Sequence, residues 1–277
     1  MTKTALIPLA TYPQAVPAES LGVIAQFARS AGLGLHALPL IAHFPKVSNA
    51  LSSLLLDVPE MVHAAELASS RKADELAQAL KASAAEAGVA FDCTPRHAGL
   101  PFAGDVAAEA ARYFDLAIVP VAPGNEPCRA VAEAVVFGSG RPTILLPPAL
   151  PKGDPNHVVI AWDGSRVAAR AVYDALALLG APRVTIVSVL NEKPLPAEDL
   201  GDRLAARLVA RGIEATAEPV ELEDQPIGAT LQDFALFKGA GMLVTGAYGH
   251  SRLRDFVLGG ATRVILDDLR LPVLMAH

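Results

Sequence analysis

Short apolar runs alternate along the whole chain with longer segments in which apolar residues recur at every third or fourth position. The short runs are typical of buried strands, and the periodic segments are typical of helices that bury one face. Glycines follow several of the periodic segments, as at Gly32, Gly88, Gly180 and Gly212, which is where helices commonly end. Because single helices separate successive strands, the pattern predicts right-handed crossovers and parallel sheets covered by helices on both faces.

The pattern divides into the same series of strands and helices in each half of the chain. In the first half the predicted strands are residues 4–10, 33–44, 89–94, 116–121 and 142–146, and the predicted helices are residues 17–31, 59–87, 103–114 and 129–137. In the second half the predicted strands are residues 157–162, 183–190, 213–220, 241–245 and 272–276, and the predicted helices are residues 166–179, 197–211, 227–238 and 261–268.

The identical order of elements indicates a tandem repeat. The stretch "DLAIVPVAPG" aligns with "AGMLVTGAYG", and "RPTILLP" aligns with "LPVLMAH". Between the halves lies "PPALPKGDPN", whose prolines, glycine and asparagine are typical of a linker. We therefore expect a first domain at residues 1–147, a linker at 148–155 and a second domain at 156–277. Each is expected to be an α/β domain with a five-stranded parallel sheet and helices on both faces.

Composition and charge narrow the range of functions. The net charge of −6 argues against a nucleic-acid-binding protein, because binding the phosphate backbone requires a surface rich in lysine and arginine. No apolar run is long enough to span a membrane, and the first residues do not resemble a secretory signal, so the expected location is the cytoplasm. Cys93 and Cys128 lack metal-ligand spacing and are expected to be reduced thiols in the core.

The richest candidate for binding chemistry is the stretch "TGAYGHSRLRDFVLGGATRVIL", which follows the predicted strand 241–245. It contains Gly246, Gly249, Gly259 and Gly260, and a helix is predicted directly after the last pair. Glycine lets backbone N–H groups approach an anion closely, and a helix N-terminus adds aligned donors and a favourable dipole. The stretch therefore predicts a phosphate-binding loop. The alternative is that these are ordinary turn and hinge glycines.

Other catalytic and metal motifs are not found in the sequence. The chain has no Gly-Lys pair, which excludes a P-loop, and its seven histidines show no metal-ligand spacing. Ser165 follows Asp163-Gly164 and is expected to be a helix N-cap rather than a nucleophile, because no G-x-S-x-G motif surrounds it. We therefore predict no catalytic residues and no metal site, and at most a weak ATPase activity.

The glycine stretch resembles a known family. Gly246-Ala-Tyr-Gly249, nine further residues and Gly259 match the G-x-x-G-x9-G signature of the universal stress protein (UspA-type) family, in which a Ser or Thr follows the last glycine. In this chain Gly260 stands at that position. The stretches "VVIAWDGS" and "LPVLMAH" resemble the first and last strands of the same domain, so the resemblance covers residues 157–277.

The resemblance implies two tandem Rossmann-like domains, of which the second binds ATP or AMP. ATP would bind together with Mg²⁺. Asp163 and Val189 would contact the adenine or ribose. The phosphates would be lined by Gly246, Gly249, Gly259 and Gly260. Thr262 is the candidate to replace the hydroxyl that is missing at Gly260. Trp162 and Tyr248 are candidates to stack on adenine, with packing against the helices as the alternative.

The first half departs from this pattern. It has no acidic residue where Asp163 stands, and Val121 aligns with Gly246, so no nucleotide is expected there. This degenerate half would be the structural partner of the second in an intramolecular pseudo-dimer, and pairing of two chains into a homodimer is compatible with the sequence. The expected function is stress-response binding and signalling through a protein partner that the sequence does not identify. The alternatives are a slow Mg²⁺-dependent nucleotide hydrolase that uses Asp163, and a protein-interaction module without nucleotide.

Overall fold

The computed structural model describes residues 2–45, 58–180, 183–191, 195–247 and 260–277. The chain divides into two compact units, Met1–Ser139 and Gly140–His277. The predicted α/β class is confirmed, because each unit contains parallel strands flanked by helices. No helix in these described ranges is long and apolar enough to cross a membrane.

The first unit follows the predicted order of elements closely. Its strands are β1 (Thr4–Ala10), β2 (Gly34–His43), β3 (Phe91–Cys93), β4 (Arg96–Gly99) and β5 (Leu116–Pro120). Its helices are α1 (Glu19–Ser30), α2 (Val58–Ala87), α3 (Ala103–Ala111) and α4 (Glu126–Gly138). A short 3₁₀ helix, Leu100–Phe102, joins β4 to α3.

The strands of the first unit lie in the order β3-β2-β1-β5, and every pair is parallel. Strands β3 and β4 both pair with β2, one after the other along its length. The sequence predicted only one strand here, at residues 89–94, and missed β4. Its residues Arg96–Gly99 carry no apolar run, and Pro95 before them is a residue that interrupts strand patterns.

The second unit contains the strands β6 (Thr143–Leu146), β7 (Asp154–Ala161), β8 (Arg183–Leu190), β9 (Ala215–Glu221), β10 (Ala240–Gly246) and β11 (Val273–Ala276). Its helices are α5 (Arg166–Leu179), α6 (Leu200–Val209), α7 (Ile227–Phe237) and α8 (Gly260–Asp267). The strand order is β6-β11-β10-β7-β8-β9. All pairs are parallel except β6 with β11.

Strand β6 groups with the second unit although the sequence assigned it to the first domain. Thr143, Ile144 and Leu145 pair antiparallel with β11, and these ladder bonds bring residues 140–147 into the second unit. The segment expected to be a linker, 148–155, also contains the start of β7 at Asp154. The division by contacts therefore differs from the expected boundaries 1–147, 148–155 and 156–277.

The central strands are buried on both faces, which explains their continuous apolar sequences, whereas no residue of the outer strands β3 and β9 is buried. Every residue of β5 and of β11 is buried. The helices bury a single face, as α6 does with its buried residues Leu200, Gly201, Leu204, Ala205 and Leu208. The core of each unit is thus a sheet between two layers of helices.

A glycine at the same place in each half brings two helices together. A Cβ on Gly104, the second residue of α3, would lie 2.6 Å from the Cβ of Ala134 on α4. A Cβ on Gly228, the second residue of α7, would lie 2.6 Å from the carbonyl oxygen of Ala261 on α8. The repeat therefore extends from the order of elements to the detail of a close helix crossing.

Candidate functional site

The candidate site lies at the edge of the second unit's strands, at the point where the connections between strands leave in opposite directions. From β7 the chain goes to β8 and β9 on one side of the sheet, and later to β10 and β11 on the other. The carboxyl ends of β7 and β10 therefore border a crevice, the place where ligands bind in open parallel sheets. Asp163 follows the end of β7, and Gly246 ends β10.

The sheet register brings three of the predicted site residues to this edge. Ala161 of β7 pairs with Val187 of β8, so Asp163 and Val189 each lie two residues further along neighbouring strands. On the other side of β7, Val244 of β10 pairs with Ile160, two residues before Gly246. Continued from these pairs, Val189 is level with Asp163 and Gly246 is level with the residue before it, so the three residues lie within one residue of the same level near the carboxyl ends of adjacent strands.

Asp163 is held by the turn that begins helix α5. The backbone N–H of Ser165 donates to Asp163 Oδ1 at 2.9 Å, and Ser165 Oγ accepts from the N–H of Ala168 at 3.2 Å. Ser165 is therefore the N-cap of α5, as predicted. Gly164 between them has a φ of 75°, a conformation that favours glycine. The local sequence Asp-Gly-Ser thus fixes a partly exposed carboxylate at the edge of the sheet.

Trp162 has a structural partner within the second unit. Its indole Nε1–H donates to the carbonyl oxygen of Leu200, the first residue of α6, at 3.1 Å. Its own carbonyl accepts from the hydroxyl of Ser188 at 2.9 Å. These bonds favour packing against a helix over stacking on adenine. Tyr248, the other aromatic candidate, lies outside the described residues.

Gly246 lies in close contact with helix α5, a role that the sequence did not predict. A Cβ there would lie 2.6 Å from the backbone nitrogen of Ala168 and 2.7 Å from the carbonyl carbon of Val167. Strand β10 therefore packs directly on the first turn of α5, with no room for a side chain. The residue does not adopt a positive φ. Close packing alone is sufficient to require glycine at this position.

Gly260 has a different environment. It is the first residue of α8, it is exposed, and a Cβ built on it meets no atom of the described residues within 4 Å. The space needed by the Ser or Thr of the family signature is therefore present. Thr262, the candidate to replace that hydroxyl, is buried at 3% exposure. Gly249 and Gly259 lie outside the described residues.

The equivalent edge of the first unit is partly filled by its own side chains. Ala10 pairs with Leu40 as Ala161 pairs with Val187, so Tyr12 occupies the place of Asp163 and Ala42 the place of Val189. The hydroxyl of Ser69, on α2, accepts from the backbone N–H of Ala42 at 2.8 Å. The backbone N–H of Ala42 is therefore already paired with a side chain of α2.

Three further contacts hold side chains of the first unit at this edge. Thr11 Oγ1 donates to the carbonyl oxygen of Leu40 at 2.6 Å, and it also lies 2.6 Å from Ser69 Oγ. Glu66 of α2 accepts from the backbone N–H of Phe44 at 2.9 Å, and this bond holds the pKa of the Glu66 carboxyl below its usual range.

The last helix of the first unit has a capped N-terminus. Asn125 Oδ1 accepts from the N–H of Cys128 at 3.1 Å, while Asn125 Nδ2 donates to the carbonyl oxygen of Ala15 at 2.9 Å. Glu126 and Pro127 follow in the first turn, adding a negative charge and removing one N–H donor. This helix end is poorly suited to an anion. The local sequence Asn-Glu-Pro is the signal of this capped start, whereas the predicted helix began only at residue 129.

Sequence analysis also predicted no metal site. In the ranges that the structure describes, no group of three or more His, Cys, Asp or Glu residues is placed to hold a metal ion. The cysteines are a buried Cys128 and a partly buried Cys93. Burial raises the pKa of the Cys128 thiol to about 12. Cys128 is therefore a packing residue of α4.

Comparison with known proteins shows which sequences and folds this chain is similar to. The profile of the universal stress protein family matches residues 155–277. Over the whole chain, the fold is similar to that of a universal stress protein from Archaeoglobus fulgidus DSM 4304, with a TM-score of 0.70, 15% identity, and coverage of 98% of this chain and 97% of that one. A functionally unknown protein from Pseudomonas aeruginosa PAO1 has a TM-score of 0.54, with 17% identity and coverage of 98% and 92%. A search of curated proteins gives no significant match.

Proposed function

Residues 155–277 of this chain belong to the universal stress protein family, and from that premise we propose that this half binds an adenine nucleotide, ATP or AMP. The nucleotide would lie in the crevice at the carboxyl ends of β7, β8 and β10. The observation that supports this most is that Asp163, Val189 and Gly246 lie within one residue of the same level, near the carboxyl ends of three adjacent strands, at the point where the connections diverge.

The proposed adenosine contacts come from the β7 and β8 ends. Ser165 N–H, through its 2.9 Å bond to Oδ1, orients the Asp163 carboxylate, which would accept from a ribose hydroxyl. Val189, at 9% exposure, would present its backbone and a small apolar surface to the ring. These are the roles that an adenosine site at the end of a parallel strand requires.

The proposed phosphate contacts come from the glycine stretch. Gly260 begins α8, so its backbone N–H and those of the next residues are helix N-terminal donors. Gly249 and Gly259 would complete the loop. Gly246 would contribute chiefly by allowing β10 and α5 to meet closely, which holds the Asp163 turn and the glycine stretch together.

We propose that occupancy of this site serves in stress-response binding and signalling, with a protein partner that responds to the bound state. The first half would have a structural role, because Ser69, Asn125 and Tyr12 occupy the positions that a nucleotide would need there. The two halves would therefore have different functions despite their common fold.

Calorimetric titration tests the proposed site. ATP, ADP and AMP, each with and without Mg²⁺, are titrated into nucleotide-stripped protein, and we expect one nucleotide to bind per chain. Asp163→Asn keeps an oxygen that accepts from Ser165 N–H but removes the charge, so affinity should fall about ten- to a hundredfold with the turn intact.

Asp92→Asn is the matched control. Asp92 Oδ1 accepts a local backbone N–H, from Cys93, just as Asp163 accepts one from Ser165. It lies in the first half, so its substitution should leave affinity unchanged. Absence of binding by any adenine nucleotide, or equal affinities in the two variants, would contradict the proposed site and favour a protein-interaction module.

The same samples test for hydrolysis. A hydrolase in which Asp163 holds Mg²⁺ or activates water would release inorganic phosphate only with Mg²⁺, and Asp163→Ala would abolish the release. We expect the bound nucleotide to be recovered unchanged after many times its residence time on the protein. Phosphate release that depends on both Mg²⁺ and Asp163 would replace the binding function with an enzymatic one.

A further inference from the structure

The first unit contains a cavity of about 200 Å³ at the carboxyl edge of its sheet. It is lined by the segment after β1, by the ends of β2 and β4, and by α3 and α4. It remains open although α2 and Asn125 occupy other parts of this edge. A smaller space than a nucleotide site therefore remains at this edge of the first unit.

The size of the cavity excludes large ligands. An apolar cavity of about 150 Å³ is known to hold benzene, whereas sites for drug-sized ligands measure about 300 to 1,000 Å³. The cavity of the first unit lies between these values. It fits a compact body such as one ring with a short substituent.

The lining is mainly apolar, with Leu40, Leu100 and Val131 among alanines and prolines. Such a surface binds an apolar body by removing it from water, at about 25 cal/mol per Å² buried. A strongly polar ligand would lose its hydration here without sufficient replacement. The main body of the ligand is therefore apolar.

The charge of the lining selects the polar part of the ligand. Among the described residues that line the cavity, Asp105 is the one that carries a charge, and none is a lysine, arginine or histidine. Its side chain is exposed, and it makes no hydrogen bond or ion pair with the described parts of the chain. A carboxylate at the mouth of an apolar cavity attracts an ammonium group and repels an anion.

Tyr12 is a second group in the lining that favours a cation over an anion. It lines the cavity at the position equivalent to Asp163, and Phe44 supports its ring in an edge-on contact with centroids 5.6 Å apart. The face of an aromatic ring attracts cations. The alternative explanation of Asp105 is that it interacts only with the N-terminal dipole of α3, where it lies in the first turn.

We propose that this cavity binds a small primary amine with a compact apolar body, with its ammonium group at Asp105 and its body against Leu40 and Val131. The first unit is then a sensor for an amine, separate from nucleotide binding in the second half. This proposal does not rest on the nucleotide site.

Three probes of equal size test the proposal: benzylamine, benzyl alcohol and benzoate, which differ in charge. Each is titrated into the full chain, and binding is followed by the methyl resonances of Leu40, Val131 and Ala98, which line the cavity. Benzylamine should shift these methyls and bind about two- to fivefold more tightly than benzyl alcohol, the range for an exposed ion pair. Benzoate should bind most weakly.

Two variants separate the charge from the cavity. Asp105→Asn should reduce the affinity for benzylamine to that for benzyl alcohol. Ala130→Leu places a larger side chain in the cavity from an exposed position on α4, so it should abolish binding of all probes without unfolding the protein. Asp163→Asn, in the second half, should leave amine binding unchanged.

Three results would overturn the proposal. The first is benzoate binding as tightly as benzylamine, and the second is unchanged benzylamine affinity in Asp105→Asn, which would leave Asp105 with the helix-dipole role only. The third is absence of methyl shifts with all three probes. The dispersion of the methyl spectrum shows in each case that the variant is folded.

Discussion

A Cβ atom on Gly246 would lie 2.6 Å from the backbone nitrogen of Ala168, so β10 and α5 meet without room for any side chain. The first glycine of the family signature thus has a structural role in this chain. It joins the strand that precedes the glycine stretch to the helix that follows Asp163. A substitution there changes the scaffold before it changes contacts with a ligand.

Replacement of Gly246 by alanine should destabilise the protein. The new Cβ would overlap backbone atoms of Val167 and Ala168, which cannot move aside as the end of a flexible side chain can. We expect the free energy of unfolding, measured by urea denaturation, to fall by about 1 to 3 kcal/mol. Gly260→Ala, at an open position, should change it by at most about 0.5 kcal/mol. Equal losses in the two variants would show that close packing does not distinguish these glycines.

Replacement of Gly260 by serine should strengthen nucleotide binding. The new side chain has open space, and it restores the hydroxyl donor of the family signature at the N-terminus of α8. A hydrogen bond to a charged phosphate is worth about 1.5 to 3 kcal/mol, so the dissociation constant measured by calorimetry should fall about tenfold or more.

The matched control for this change is Gly22→Ser. Gly22 is exposed on α1, and a Cβ there also meets no atom of the described residues within 4 Å. The Gly22→Ser variant should leave nucleotide affinity unchanged. If Gly260→Ser binds ATP no better than the parent protein does, the phosphates do not lie at the start of α8.

Asn125→Ala should destabilise the first unit without affecting nucleotide binding. The change removes the cap on Cys128 N–H and the bond to the carbonyl of Ala15, and it leaves buried groups without partners. We expect a loss of about 1 to 2 kcal/mol in urea denaturation, the usual range for an N-cap. Ser165→Ala, the corresponding cap in the second unit, should be comparably destabilising but should also weaken nucleotide binding, since Ser165 belongs to the Asp163 turn. Weaker nucleotide binding in Asn125→Ala would contradict the division of roles.

Stability should decrease at mildly acidic pH because of His157. This side chain is 2% exposed, its Nε2 lies 2.9 Å from Thr185 Oγ1, and burial together with the charge of Arg183 lowers its pKa. A lowered pKa means that the unfolded chain takes up the proton first, so stability is complete above about pH 6.5 and falls as pH decreases toward the folded-state pKa. Nearby Asp154 opposes the shift in part.

Urea denaturation at pH 7.5 and at pH 5.5 checks this dependence. The difference between the two values should be smaller in His157→Gln than in the parent protein. An identical pH dependence in both proteins would show that carboxylates, and not His157, control stability in this range.

The sequence predicted most of the fold, because the apolar runs and the helix-ending glycines are local signals. The bounds of β1, β8 and α5 agree with the patterns that predicted them. Strand β4 was missed because Arg96–Gly99 has no apolar signal and forms only by pairing with β2. The place of β6 beside β11 depends likewise on pairing between segments far apart in the chain.

The sequence predicted where the candidate site lies, but it did not predict the packing contacts that shape the site. Asp163 and Gly246 could be placed at one edge because the ends of parallel strands meet there. The contact of Gly246 with Ala168 could not be predicted, since it joins a strand to a helix about eighty residues earlier. The same holds for Ser69, which reaches the N–H of Ala42 across the first unit. Such contacts are properties of packing, not of local pattern.

We expect an adenine nucleotide to bind at the carboxyl edge of the second half and not in the first. Hydrogen–deuterium exchange of the full chain, with and without saturating ATP, tests it most directly. We predict slower exchange in the peptides that contain Asp163, Val189, Gly246 and Gly260, and unchanged exchange in those that contain Tyr12 and Ala42. Slower exchange confined to the Tyr12 and Ala42 peptides, or no change anywhere in the chain, would contradict it.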